Sequence, residues 1–114
     1  MQIKEISVSE LAERLQLEVV NVAEPERKVT CGYAGDLLSW VMGRAPESCA
    51  WVTVMSNTNV IAVATLADVS CVIIAEGAEL DEEALAKARS ASVNVYSSKL
   101  TVFELCARIA SLGK

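Results

Sequence analysis

The run Ser70-Cys-Val-Ile-Ile-Ala75 is apolar on both faces and is stopped by Glu76-Gly77. A strand with one side in water would alternate polar and apolar residues. This one needs cover above and below, so it belongs in the middle of a parallel sheet with helices on both faces. Any fold for the chain has to supply those two layers.

The neighbouring segments provide material for them. Leu80-Asp-Glu-Glu-Ala-Leu-Ala-Lys-Ala-Arg89 reads as a helix, with acids in its first turn and bases in its last to match the helix dipole. Val60 to Ala67 is apolar almost all round, and periodicity does not separate helix from strand there. Alanines 62, 64 and 67, and the capping cluster Ser56-Asn-Thr-Asn59 ahead of them, favour a buried helix ending at Asp68. Cys49-Ala-Trp-Val-Thr-Val-Met55 reads as a buried strand, and Val93-Asn-Val-Tyr96 as a short one.

In the first half, Leu11 and Leu15 share one face of a short helix over residues 9–16, behind capping serines. The β-branched stretch 17–22 predicts a strand, and Glu24-Pro25-Glu-Arg-Lys28 a surface turn. Val29 to Gly35 has strand character that decays into glycine. Asp36 is then placed as the N-cap of a helix running to Met42 and ended by Gly43. Residues 100–112 predict a last helix before Gly113.

With 114 residues, the chain is long enough for one compact core and too short for two ordinary domains. The expected architecture is α/β: a single domain over 1–114, built as a three-layer sandwich. Its mainly parallel sheet has about five strands, with helices on both faces.

Composition excludes several functions. Ten Lys and Arg against 15 Asp and Glu leave a net charge of -5, which repels phosphate backbones. No nucleic-acid partner is expected. The apolar stretches are broken by Thr65, Asp68 and Ser70 and fall short of a membrane span, and the N-terminus lacks the basic start of a secretory signal. We therefore expect a cytoplasmic protein with no membrane partner.

The chain has no histidine and no C-x-x-C pair, so no metal site or cofactor is expected. Its four cysteines read as reduced thiols packed like small hydrophobes. Cys31, beside Gly32, is the one whose position allows a loop-facing reactive thiol.

In open parallel sheets, ligands sit beyond the carboxyl ends of the strands. The residues expected there are Gly32, Tyr33, Gly35 and Asp36 after one strand, and Ser56, Asn57, Thr58 and Asn59 after the next. Glu76 and Gly77 follow the third, and Ser97 and Ser98 the last. They read either as a small polar cleft for an anion or nucleotide, or as the turns and caps that such residue types form in any case. Gly32-Tyr-Ala-Gly35 is neither G-x-G-x-x-G nor a P-loop. Without histidine, no serine or cysteine has an evident activating base. No catalytic residue is assigned, and the chain is expected not to be an enzyme.

Several ordered segments together resemble one family. Gly35-Asp-Leu-Leu-Ser-Trp-Val41, Ala50-Trp-Val-Thr53, Asn59-Val-Ile-Ala-Val-Ala64, Cys71-Val-Ile-Ile-Ala-Glu-Gly77 and Lys87-Ala88 are similar to the DRTGG domain family. The likeness is nearest to stand-alone members encoded beside iron hydrogenase and electron-transfer components. The motif itself is replaced: Ala75-Glu76-Gly77 stands in the place of Thr-Gly-Gly, and Asn59-Val60 near that of Asp-Arg.

The resemblance implies a fold like the N-terminal domain of HPr kinase and a regulatory role without catalysis. The expected function is a regulatory or interaction module that senses a small anionic metabolite or nucleotide and forms a homodimer. Trp40, Met42 and Trp51 are candidate interface anchors. The alternative is an accessory or docking protein of an iron-hydrogenase or electron-transfer complex.

Overall fold

Ser7 ends one element and begins the next. It closes strand β1 (Gln2–Ser7), and its hydroxyl accepts the Glu10 amide at 3.1 Å to cap α1 (Val8–Leu15). The computed structural model describes residues 1–112. The chain continues through β2 (Glu18–Asn21), β3 (Lys28–Ala34), α2 (Leu38–Arg44), β4 (Cys49–Thr53) and α3 (Thr58–Ala67). It ends with β5 (Cys71–Ile74), α4 (Glu82–Ala91), β6 (Val95–Ser97) and α5 (Val102–Ser111). Gly113, expected to follow the last helix, lies outside the described residues.

The strands form one sheet in the order β1-β3-β4-β5-β6-β2. The inner four are parallel in successive register, and β1 and β2 pair antiparallel at the two edges. The sheet is thus mainly parallel, as expected, but with six strands. The additional strand is β1, an exposed edge whose Lys4 and Glu5 mask its alternation.

Period-two alternation divides the side chains of each strand between two apolar layers, one on each face of the sheet. Cys49 and Trp51 of β4 and Val72 and Ile74 of β5 meet α2, α3 and α4 on one face. Ala50, Val52, Cys71 and Ile73 meet α1 and α5 on the other. This is why β5 has no polar position.

Helix boundaries follow local capping. Asn57, Asp81 and Thr101 each accept a backbone amide at the starts of α3, α4 and α5, and Thr101 forms a capping box with Glu104. The 60–67 segment is a helix ending at Asp68, as expected. Asp36 is not the cap of α2: Leu37 holds that position without a side-chain bond, and the helix runs one residue past Gly43 to Arg44. The carboxylate of Asp36 has a stronger use across the sheet end.

Candidate functional site

The carboxyl ends of β3, β4, β5 and β6 gather most of the predicted residues on one rim of the sheet. Gly35 and Asp36 follow β3, Asn57 precedes α3, and Thr58 and Asn59 open that helix. Glu76 and Gly77 turn the chain after β5, Ser97 ends β6 and Ser98 follows it. Gly32 and Tyr33 are the exceptions, since they lie inside β3 rather than after it.

The polar groups of this rim bond chiefly to one another. Asp36 Oδ1 accepts the Thr53 hydroxyl at 2.7 Å and the Val54 amide at 2.9 Å, and Thr53 Oγ1 in turn accepts the Met55 amide. Asn57 Oδ1 accepts the Asn59 amide. The amides of Gly35, Glu76, Gly77 and Ser98 donate to Val52, Leu100, Ser98 and Ile74 carbonyls. These amides are therefore engaged within the fold, and Asp36 and Glu76 place two exposed carboxyl side chains on this part of the rim.

Two cations line the rim beside β6. Ser98, Lys99 and Leu100 line a shallow depression of about 240 Å³ that also takes Arg108 from α5 and Glu18 from β2. Composition gave no hint of it, because Lys99 and Arg108 are nine residues apart and meet only when α5 folds back along the sheet.

The Ala75-Glu76-Gly77 turn shows why this position suits glycine. Glu76 and Gly77 both have left-handed backbone, with φ of 63° and 74°. For Glu76 that conformation costs on the order of 1 kcal/mol. Its carboxylate offsets the cost by accepting the Val102 amide of the first turn of α5 at 3.0 Å. Glu76→Ala keeps the strain and loses the bond, and should lower stability by about 1–1.5 kcal/mol. Glu76→Gly removes both together and should be nearly neutral in urea denaturation.

Gly32 has a different role. A Cβ there would stand 3.2 Å from Ile109 Cγ2 of α5, so the bare backbone lets that helix lie close. Beside this contact an apolar groove of about 190 Å³ opens between β1 and α5, lined by Ile3, Tyr33, Val52 and Cys106 among others.

The four thiols are free and three of them are packed in the core, in line with their reading as small hydrophobes. Cys31, which could have been a reactive thiol in a loop, is inside β3 and buried at 4% exposure, with its sulfur 3.8 Å from the carbonyl of Glu47 in the turn before β4. Alternation turns it into the α2–α4 side of the core. Burial pushes the Cys49 and Cys71 thiols up to about 12 and raises that of Cys106. Only Cys106 is partly exposed. Native-state alkylation should therefore label Cys106 alone, and more slowly near pH 8 than a free thiol, because less of it is thiolate. Labelling of a second cysteine in the folded protein would contradict this.

No helix among the described residues is long and apolar enough to cross a membrane, and no cluster of three or more metal-ligating residues occurs among them.

The class defined by this fold is a two-faced α/β sandwich with antiparallel edges. No protein-family model and no curated protein matches the chain. Among solved structures it is similar to the CBS and DRTGG domains of the regulatory region of Clostridium perfringens pyrophosphatase, a crystal structure complexed with the activator diadenosine tetraphosphate. The TM-score is 0.70 at 14% identity, over 94% of this chain and 47% of that one. The chain thus spans about half of that structure, and its fold is DRTGG-like.

Proposed function

We propose that this chain is a non-catalytic regulatory module that senses a small anionic metabolite or nucleotide and self-associates. The likeness over 94% of the chain to a regulatory region complexed with a nucleotide activator carries this reading. The absence of histidine from the sequence and the engagement of Asp36 and Glu76 in bonds within the fold argue against acid-base chemistry on the rim. Four thiols without a disulfide suit the reducing cytoplasm, where we place the module.

The end of the rim beside β6 is the part best fitted to an anion. Lys99 and Arg108 flank Ser98 there, whereas Asp36 and Glu76 repel negative charge at the other rim positions. A thermal-shift series with diadenosine tetraphosphate, AMP, ATP and acetyl phosphate tests the proposal. A ligand at about 100 times its Kd stabilises by roughly 2.7 kcal/mol, a rise of several degrees for a domain of this size. The shift should vanish in Lys99→Glu/Arg108→Glu. No shift with any of these anions would remove the sensing function.

The alternative, docking to an iron-hydrogenase or electron-transfer complex, draws on the cysteines, of which Cys106 alone is accessible.

A further inference from the structure

We propose that the anion site beside β6 is one end of a polarised trough that takes a small zwitterion, an amine-bearing phosphomonoester of about eight non-hydrogen atoms. The ligand class depends on the anion site of the preceding reading.

Two depressions adjoin where β2 begins and β6 ends. The larger, of about 240 Å³, has Glu18, Lys99 and Arg108 in its wall, and the smaller, of about 90 Å³, has Glu18, Lys99 and Glu79. Ser98 also lines both. The charges are ordered along them. Arg108 of α5 stands at one end and Glu79, just past the Gly77 turn, at the other, with Lys99 and Glu18 shared between. Antiparallel pairing sets Glu18 opposite Ser97 and so brings its carboxylate beside the 98–99 turn.

These four side chains enter neither of the ion pairs found among the described residues. Opposite charges that line one space without closing on each other leave both signs free for a ligand that carries both. A plain anion held by Lys99 and Arg108 is repelled by Glu18 and Glu79. An ammonium group a few bonds from the phosphate turns that repulsion into attraction. Two cations side by side suit a phosphomonoester dianion better than a single carboxylate.

Volume limits the rest of the ligand. At roughly 30 Å³ for each water-sized group, 240 Å³ holds about eight non-hydrogen atoms, the size of phosphoethanolamine and far below a dinucleotide. Leu15 and Leu100 give the wall an apolar part against which a two-carbon linker packs. The Ser98 hydroxyl accepts the Leu100 amide at 3.1 Å and keeps its own proton to donate to a phosphate oxygen.

NMR titration of the full chain with phosphoethanolamine and with ethyl phosphate, which lacks only the amine, tests this, with circular dichroism as a control for folding. Phosphoethanolamine should shift the Glu18, Ser98 and Lys99 amides and bind about fivefold or more tighter than ethyl phosphate, the gain expected from exposed charge pairs. Glu18→Gln/Glu79→Gln should bring that ratio to about one, with ethyl phosphate bound as before or tighter. Lys99→Glu/Arg108→Glu should abolish ethyl phosphate binding and weaken phosphoethanolamine about tenfold or more. Equal affinities in wild type, a ratio that survives the double glutamine variant, or binding that persists after charge reversal would overturn the zwitterion site and leave anion sensing standing. Failure of both probes would also overturn it, and failure of ATP and acetyl phosphate as well would remove the sensing reading with it.

Discussion

Trp51→Ala should destabilise the fold by about 3–5 kcal/mol, the usual cost of removing a large aromatic side chain from a packed core. Small domains have on the order of 5–15 kcal/mol in all. The side chain is fully buried under α2 and α3, and it is the largest fully buried one among the described residues. It also has a polar function, since Nε1 donates to the Gly35 carbonyl at 3.0 Å and ties the turn before α2 to the sheet. Trp51→Phe separates the two contributions. It retains most of the apolar volume, loses the hydrogen bond, and should cost about 1–2 kcal/mol. Urea denaturation followed by far-ultraviolet circular dichroism measures both. An alanine variant within 1 kcal/mol of wild type would mean that the indole does not support the core as described.

Asn94→Ala should be comparably damaging, at about 3–5 kcal/mol, because it strips the partners from a loop at the opposite end of the sheet. Asn94 is 1% exposed and its side chain makes four hydrogen bonds. Its Oδ1 accepts the Ala23 and Glu24 amides at 2.9 and 2.8 Å, and its Nδ2 donates to the Glu24 and Ser70 carbonyls at 2.9 and 3.0 Å. One side chain thus holds the 22–27 loop to the start of β5. Arg27 adds a second clasp, bonding the Asp68 carbonyl and carboxylate, but that pair is partly solvated and contributes less. Asn94→Asp should cost more than alanine, since it sets carboxylate oxygens against two carbonyls. Amide hydrogen exchange at Ala23 and Glu24 should accelerate in both variants. Unchanged protection at those amides would show that the loop is held by other contacts.

These two residues differ in how much of their role can be read from sequence. Trp51 sits in the apolar run Cys49–Met55, and a buried strand follows from composition alone, although which face the indole takes does not. Asn94 looks like an ordinary polar residue between two valines. Its partners lie 24 and about 70 residues away, and no local signal reports them. Tyr96, by contrast, follows the strand alternation and is buried against the α1 and α5 side.

The rim shows the same division. Strand ends rich in Gly, Asp, Asn and Ser were predictable, and the chain does bring them to one end of the sheet, apart from Gly32 and its neighbour Tyr33 inside β3. What was hidden is how they are used. Asp36 precedes a helical pattern and invites the role of N-cap, but Thr53 and Val54, supplied by β4, compete successfully for its carboxylate. Cys31 beside Gly32 invites a loop, but pairing with β4 extends β3 through both. Lys99 and Arg108 attract no notice in an acidic chain until α5 brings them together beside Ser98.

Local chemistry in this sequence therefore determines the layered α/β class, the central position of β5 and the identity of most elements, because periodicity and capping act within a few residues. The tertiary structure decided the antiparallel edges, the β1 strand, the Asn94 latch, the engagement of the rim carboxylates and the exposure of Trp40. Each of these depends on which distant segments compete for the same hydrogen bond or the same buried area, and that competition is settled only when the sheet has assembled.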